Sequence, residues 1–356
     1  MTDQEMAAFP GTVAPIPSEP NGDAPTPVVV GPEQRPSRRK RILFAILFTL
    51  TAIFLLFGAW YLIFRKPITE LIPPVAVEPV PTYSFSIYGV SKPMGVAVSP
   101  SGDRIYVAET EGQRQVHIFD SKGAEVGTIV PKGSLAASRT PVYIALDPAN
   151  GDVYVSDRIA GTVFVYDRDG LYRREFEPDP AIKDWQPMGL AFDGKSNLYV
   201  SDLGEKNHRI EVFSSEGALL RTVVPDGGLL FPNGLAVDAA GTLYTSDSNH
   251  GRVVISGPED QTIASIPRGS GPGELGMPRG VALDDSHRLY VVDSSEHAVD
   301  MYRMDEKTGR PAFIASFGQA GRADGAFGFP QGVATDTRGR IYVADWANNR
   351  VQVWSY

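Results

Sequence analysis

Residues Ile42 to Phe64 read ILFAILFTLTAIFLLFGAWYLIF, an apolar run of 23 positions without a charge. From Pro93 onward the pattern changes to short apolar or alternating runs bounded by Gly, Asp, Ser, Asn and Pro. The first pattern predicts one helix. At 1.5 Å per residue it reaches roughly 34 Å, enough for a hydrocarbon core of about 30 Å. The second pattern predicts strands and turns, because alternation places every other side chain on one face.

One unit recurs six times. It runs PMGVAVSPSGDRIYVAE from Pro93, PVYIALDPANGDVYVSD from Pro141, PMGLAFDGKSNLYVSD from Pro187, PNGLAVDAAGTLYTSD from Pro232, PRGVALDDSHRLYVVD from Pro278 and PQGVATDTRGRIYVAD from Pro330. The starting prolines stand 48, 46, 45, 46 and 52 residues apart. Within a unit, a GVAVD-like run leads through a polar turn such as Ser101-Gly102-Asp103 to a second β-rich run such as Leu198–Val200. A third run follows, as in Arg209–Phe213, and a fourth, as in Arg221–Val224; none of these segments carries a helical stripe. Four antiparallel strands per repeat of this length make a propeller blade, so the expected fold is all-β: a six-bladed β-propeller preceded by a single transmembrane α-helix.

The last repeat stops at Tyr356, after its third strand, while an alternating stretch, Tyr83–Tyr88, precedes the first repeat. Pairing Tyr83–Tyr88 with Val351–Trp354 would complete blade six from both ends of the body and remove an open edge.

Charge sets the expected topology. Arg38, Arg39, Lys40 and Arg41 abut the apolar run on its N-terminal side, whereas only Arg65 and Lys66 follow it. The positive-inside rule then predicts a cytoplasmic N-terminus and a propeller outside the cytoplasm, with the span serving as an uncleaved signal anchor in the cell membrane. Trp60 and Tyr61 near the outer end suit the interface. The expected organisation is a disordered Pro-rich tail (1–41), a transmembrane helix (42–64), a Pro-rich stalk (65–81) and the propeller (82–356). Tail and stalk each balance to zero charge, so the whole net charge of -9 falls on the propeller. An acidic body does not suit phosphate neutralisation, and no nucleic-acid partner is expected. The chain contains no cysteine, which excludes disulfides, thiolate metal sites and cysteine nucleophiles.

The final repeat, with Pro330, Gly332, Val333, Ala334, Asp336, Ile341–Asp345, Asn348 and Arg350–Val353, resembles the NHL repeat, which reads roughly PxGVAVD, LYVAD, NxRIQVF. The resemblance covers residues 82–356. It implies the propeller fold and leaves function open, because one fold hosts many functions. It extends to extracytoplasmic NHL domains of bacterial sensor and surface proteins.

Candidate chemistry follows from strand direction. The residues after the repeat prolines (Met94, Val142, Met188, Asn233, Arg279 and Gln331) begin the innermost strands and are expected to ring one mouth of the central channel. The first strand runs away from this mouth and the second returns. The turn after the second strand therefore brings Arg158, His250, His297 and Trp346 to the same face, near Tyr143 of the inner strands. Gluconolactonase-like and paraoxonase-like propellers hold a divalent cation at this location, and Asn233 matches one asparagine of that pattern. The ring otherwise offers no carboxylate and one arginine, whereas a hard cation needs several oxygen ligands. Peptide-amidating lyases use histidines there, and the ring has none. No metal, cofactor or catalytic set is expected.

The acids ending the second runs (Glu109, Asp157, Asp202, Asp247, Asp293, Asp345) are expected to hold turn amides, with Arg209, Arg252 and Arg350 beside them. The Gly-rich runs Gly269–Gly276 and Gly318–Gly328 precede strands, not helices, so they read as connections between blades. The expected function is a membrane-anchored, extracytoplasmic protein- or ligand-binding or scaffold module, with an unidentified protein or small ligand on the mouth face. The alternative is a hydrolase or lyase of lactonase-like type at the same mouth; a third reading is a structural component of an envelope complex.

Overall fold

The computed structural model describes residues 38–64, 78–130, 135–204, 208–305 and 307–356. Most of the expected tail (1–37) and stalk (65–77) lies outside the described residues.

The apolar run forms a helix, Arg38–Phe64. Its Arg38–Leu62 stretch has a mean hydropathy of 2.6 and is long and apolar enough to cross a membrane. Thr49 and Thr51 donate their hydroxyls to the carbonyls of Ala45 and Leu47, each at 2.9 Å. Both polar side chains are thus satisfied within the helix.

From residue 82 the chain folds into six four-stranded antiparallel sheets among the described residues. Five blades are consecutive in sequence; blade one, for example, uses Pro93–Val98, Ile105–Glu109, Val116–Phe119 and Glu125–Ile129. The inner strands of the others are Pro141–Leu146, Pro187–Phe192, Pro232–Val237, Pro278–Leu283 and Pro330–Thr335. Each inner strand is the edge of its sheet.

The core consists of layers between blades. One apolar cluster joins Val96, Ile105 and Val107 of blade one to Tyr342, Val351 and Val353 of blade six, and five more clusters repeat this around the ring. A small-against-large pairing recurs in every blade. Ala97 stands opposite Tyr106, Ala145 opposite Tyr154, Ala191 opposite Tyr199, Ala236 opposite Tyr244, Ala282 opposite Tyr290 and Ala334 opposite Tyr342. The alanine leaves room for the neighbouring blade, and the buried ring fills it. The hydroxyls stay satisfied: Tyr106 donates to the Arg168 carbonyl at 2.7 Å and Tyr290 to Asp284 at 2.8 Å. Truncating one such ring would cost about 3–5 kcal/mol.

Blade six closes the ring as the repeat pattern predicts. Thr82–Ile87 pairs antiparallel with Arg350–Ser355, placing Tyr83 opposite Trp354 and Ile87 opposite Val351. The strand ends at Ile87, and Tyr88 lies beyond it, exposed.

Candidate functional site

The mouth is built by the first residues of the inner strands. In each blade the repeat proline pairs with the acid ending the second strand, as Pro187 with Asp202 and Pro232 with Asp247. Proline suits this position because φ is fixed and no ladder hydrogen bond is needed there. The acid secures the lead-in. Asp157 accepts the Thr140 amide at 2.8 Å and those of Ile159 and Ala160. Asp293 takes Gly276 and Met277 in the same way. Arg209, Arg252 and Arg350 pair with Asp202, Asp247 and Asp345 at 2.6, 2.8 and 2.8 Å. These acids therefore act on turns. Among the described residues no group of three or more His, Asp or Glu side chains is arranged to hold a metal ion.

The turns after the second strands reach the mouth face: the amides of Arg158, Leu203 and Ser294 donate to the carbonyls of Thr140, Gln186 and Met277. The ring divides by chemistry. Val142 and Met188 pack with Tyr143, against which Met94, Leu203 and Phe231 lie. The polar half holds Asn233, Arg279 and Gln331 from blades four to six. Inner strands approach closely at the next position. A Cβ on Gly280 would stand 2.7 Å from the Gln331 carbonyl oxygen and 2.9 Å from the Gly332 Cα. Five blades carry glycine there; blade two carries Tyr143, whose side chain is buried in the apolar half. Burial raises the Tyr143 hydroxyl above its ordinary range, and the Arg279 charge opposes the shift.

Asn233 is fully buried, and its Nδ2 donates to Ser248 Oγ at 2.6 Å and to the Phe231 carbonyl at 3.3 Å. The carbonyl partner fixes the amide orientation, because only the nitrogen can donate. Gln331 likewise donates to Ser294 Oγ and the Phe329 carbonyl, both at 3.2 Å. Arg279 Nη2 meets the Met277 sulfur at 3.4 Å, and no carboxylate pairs with this guanidinium among the described residues. The Tyr143 hydroxyl, Asn233 Oδ1 and Arg279 Nε are all buried without a hydrogen-bond partner among the described residues.

The remaining predicted positions differ in how they are engaged. Arg158 is exposed and lines a pocket of about 160 Å³ with Gln186, Met188, Leu203, His208 and Phe231. His250 Nδ1 lies 2.7 Å from Asp247 and belongs to that turn network. His297 accepts the Phe329 amide at 3.0 Å through Nδ1. Trp346 is half-buried beneath the Lys92 ammonium, 4.2 Å from the ring centroid, at the seam of blades six and one.

Sequence reasoning missed three features. Buried serines latch blades together: Ser156 Oγ donates to the Met188 carbonyl at 2.6 Å, and Ser248 Oγ donates to that of Pro278. Phe231 and Phe329, each preceding a repeat proline, have φ of 60° and 49°. Bulky residues rarely adopt this conformation, and such strain gathers at functional sites. Their amides are held by His208 and His297, and Phe329 is largely exposed. The recurring Phe-Pro with an upstream His was the available signal. Third, the opposite end of the channel opens as a cavity of about 650 Å³, lined by the last three residues of the inner strands, including Leu146, Phe192, Val237 and Leu283. Those residues read as ordinary strand core.

The NHL repeat family model matches residues 229–255 and 327–354. NHL repeat-containing protein 3 of Mus musculus is 28% identical over 195 residues, which covers 49% of this chain and 55% of that protein. The Homo sapiens protein of the same name is 24% identical over 195 residues, with the same coverage. The chain thus spans about half the length of these curated relatives. Among solved structures, a streptogramin B lyase superposes with a TM-score of 0.53 at 10% identity, covering 76% of this chain and 96% of that chain. Virginiamycin B lyase from Staphylococcus aureus gives 0.54 at 10%, covering 78% and 99%. A chain of a nidogen/laminin complex gives 0.50 at 23%, covering 63% and 79%. At these identities the likeness to the solved structures is one of fold.

Proposed function

We propose that this six-bladed propeller of NHL repeats is a membrane-anchored, extracytoplasmic binding module whose partner docks on the face bearing Asn233, Arg279 and Gln331. The observation that carries the reading is the state of that face. It combines two strained phenylalanines, one of them exposed, with an arginine that no carboxylate among the described residues neutralises. Aromatic residues and arginine dominate binding hot spots, and an unpaired buried donor gains most from an incoming acceptor. The nidogen/laminin likeness is compatible with a protein partner, and the lyase likenesses with a small ligand. The anchor rests on the apolar helix Arg38–Phe64, and the orientation on the basic residues at its start.

Two measurements test this. Protease added to intact host cells should degrade the propeller and spare the N-terminus; a protected propeller would place it in the cytoplasm and refute the orientation. Capture of partners by the full chain in detergent should weaken in Arg279→Ala and Phe329→Ala. It should persist in His287→Ala and Arg338→Ala, on the opposite face. The reverse pattern would refute the mouth face.

A further inference from the structure

The mouth holds three buried polar atoms that have no hydrogen-bond partner among the described residues. They come from blades two, four and five: the Tyr143 hydroxyl, Asn233 Oδ1 and Arg279 Nε. Other such atoms, the Tyr166 and Tyr302 hydroxyls and Trp354 Nε1 among them, lie on the third strands of their blades, away from the inner strands. Arg252, Arg288, Arg340 and Arg350 all reach carboxylates at 2.7–2.8 Å. Among the described residues Arg279 meets only a thioether sulfur, a weak acceptor. The missing partner must accept from Arg279 and donate to Asn233 Oδ1, while the Tyr143 hydroxyl can do either.

We propose that the polar half of the mouth is a subsite for a carboxylate that carries an adjacent amide N–H: the terminal residue of a peptide chain or a free N-acylated amino acid. Three points favour this chemistry over a phosphate or sulfate. A planar guanidinium matches a planar carboxylate in two parallel hydrogen bonds. One cation neutralises one negative charge, and a domain carrying the whole -9 of the chain repels polyanions. Asn233 Oδ1 is an acceptor, which would repel a second anionic oxygen and instead suits the amide N–H beside a terminal carboxylate. The apolar half, Met94, Met188 and Phe231 around Tyr143, would then take an aliphatic side chain. The assignment rests on the mouth-face reading and adds the ligand class to it.

Titration calorimetry on the full chain in detergent tests it, using N-acetyl-L-leucine, its C-terminal amide, and an octapeptide ending in leucine as acid or amide. Binding of an acid with one-to-one stoichiometry, at least tenfold tighter than its amide, is expected. Arg279→Gln should abolish that preference, and Tyr143→Phe should weaken binding several-fold; neither removes an ion pair, so both variants should fold. Binding of both acids points to the terminal residue alone; binding of the octapeptide only points to a chain terminus. Equal binding of acid and amide, no binding of either acid, or an acid preference retained in Arg279→Gln would overturn the proposal. If the probes fail while partner capture still depends on Arg279 and Phe329, the carboxylate assignment falls and the docking face stands. If capture is also insensitive, both fall.

Discussion

The backbone N–H of Phe329 donates to Nδ1 of His297 at 3.0 Å, and the two rings meet with centroids 4.5 Å apart. Phe329 pays for its exposed position with a φ of 49° immediately before Pro330. His208 and Phe231 repeat the arrangement at 2.8 Å between blades three and four. In both, the bond fixes the imidazole with Nδ1 as acceptor, leaving the Nε2–H as donor.

His297→Ala should therefore lower stability by about 1–2 kcal/mol, through the lost acceptor and ring contact. Phe329→Gly should change it by less than about 1 kcal/mol, since glycine relieves the positive φ while the ring contact is lost. Urea denaturation of the two variants checks the ordering. A larger loss in Phe329→Gly would mean the ring is structural and not held out for binding.

Trp354 joins the two ends of the propeller. It is buried, faces Tyr83 edge-on at 6.1 Å and also touches Phe317 and Phe327. Trp354→Ala should cost about 3–5 kcal/mol. Deleting residues 82–89 should lower the melting temperature as well, because it bares the Arg350–Ser355 edge. An unchanged melting curve in the deletion would contradict the closure.

Gly280→Ala probes the approach of the inner strands. The new methyl would meet the backbone of Gln331 and Gly332 at 2.7–2.9 Å, and backbone cannot rotate away. A loss of about 1–3 kcal/mol is expected. Ala substitution at Gly151, where nothing lies within 4 Å, has no such clash, though its φ of 77° still disfavours a side chain. Equal stability of Gly280→Ala and the unaltered chain by thermal melting would contradict the close approach.

Asp300 gives a pH prediction. Its carboxyl is buried and raised to about 6, chiefly by desolvation, with Asp293 and Glu296 adding to the shift and the Ser316 hydroxyl opposing it. A carboxyl whose folded value exceeds its unfolded value favours folding while protonated. Its contribution is full below about pH 4 and is lost as pH rises through about 6, amounting to about 3 kcal/mol at most. Asp300→Asn should flatten that part of the stability profile. An unchanged slope between pH 4 and 6.5 in denaturation curves would contradict the assignment.

Much of the architecture was legible because each blade states its own rules. The proline opens the inner strand and the acid ends the second strand in every blade, whereas the pairing of Ala97 with Tyr106 and its five counterparts emerged only with the strand register. The closing strand was legible as well, since Tyr83–Tyr88 alternates and the last repeat lacks a partner. The mouth was legible as a ring of positions but not as a site. Tyr143 packs on Met94 and Met188, more than 40 residues away, and the amide orientation of Asn233 and the sulfur contact of Arg279 depend on how their turns fold, which repeat spacing does not state. Trp346 was legible as a turn residue of the mouth face, whereas the Lys92 ammonium over its ring comes from the adjoining blade and had no signal in the repeat.

The central claim is that the face bearing Arg279 and Phe329 is where the partner sits. Site-specific photo-crosslinking in native membranes tests it most directly, with a benzoylphenylalanine placed in the full chain at position 329 or, on the opposite face, at position 338. The account predicts a discrete crosslinked product from position 329 that is lost when Arg279→Gln is added, and none from position 338. A product from position 338 alone, or one from 329 indifferent to Arg279, would contradict it.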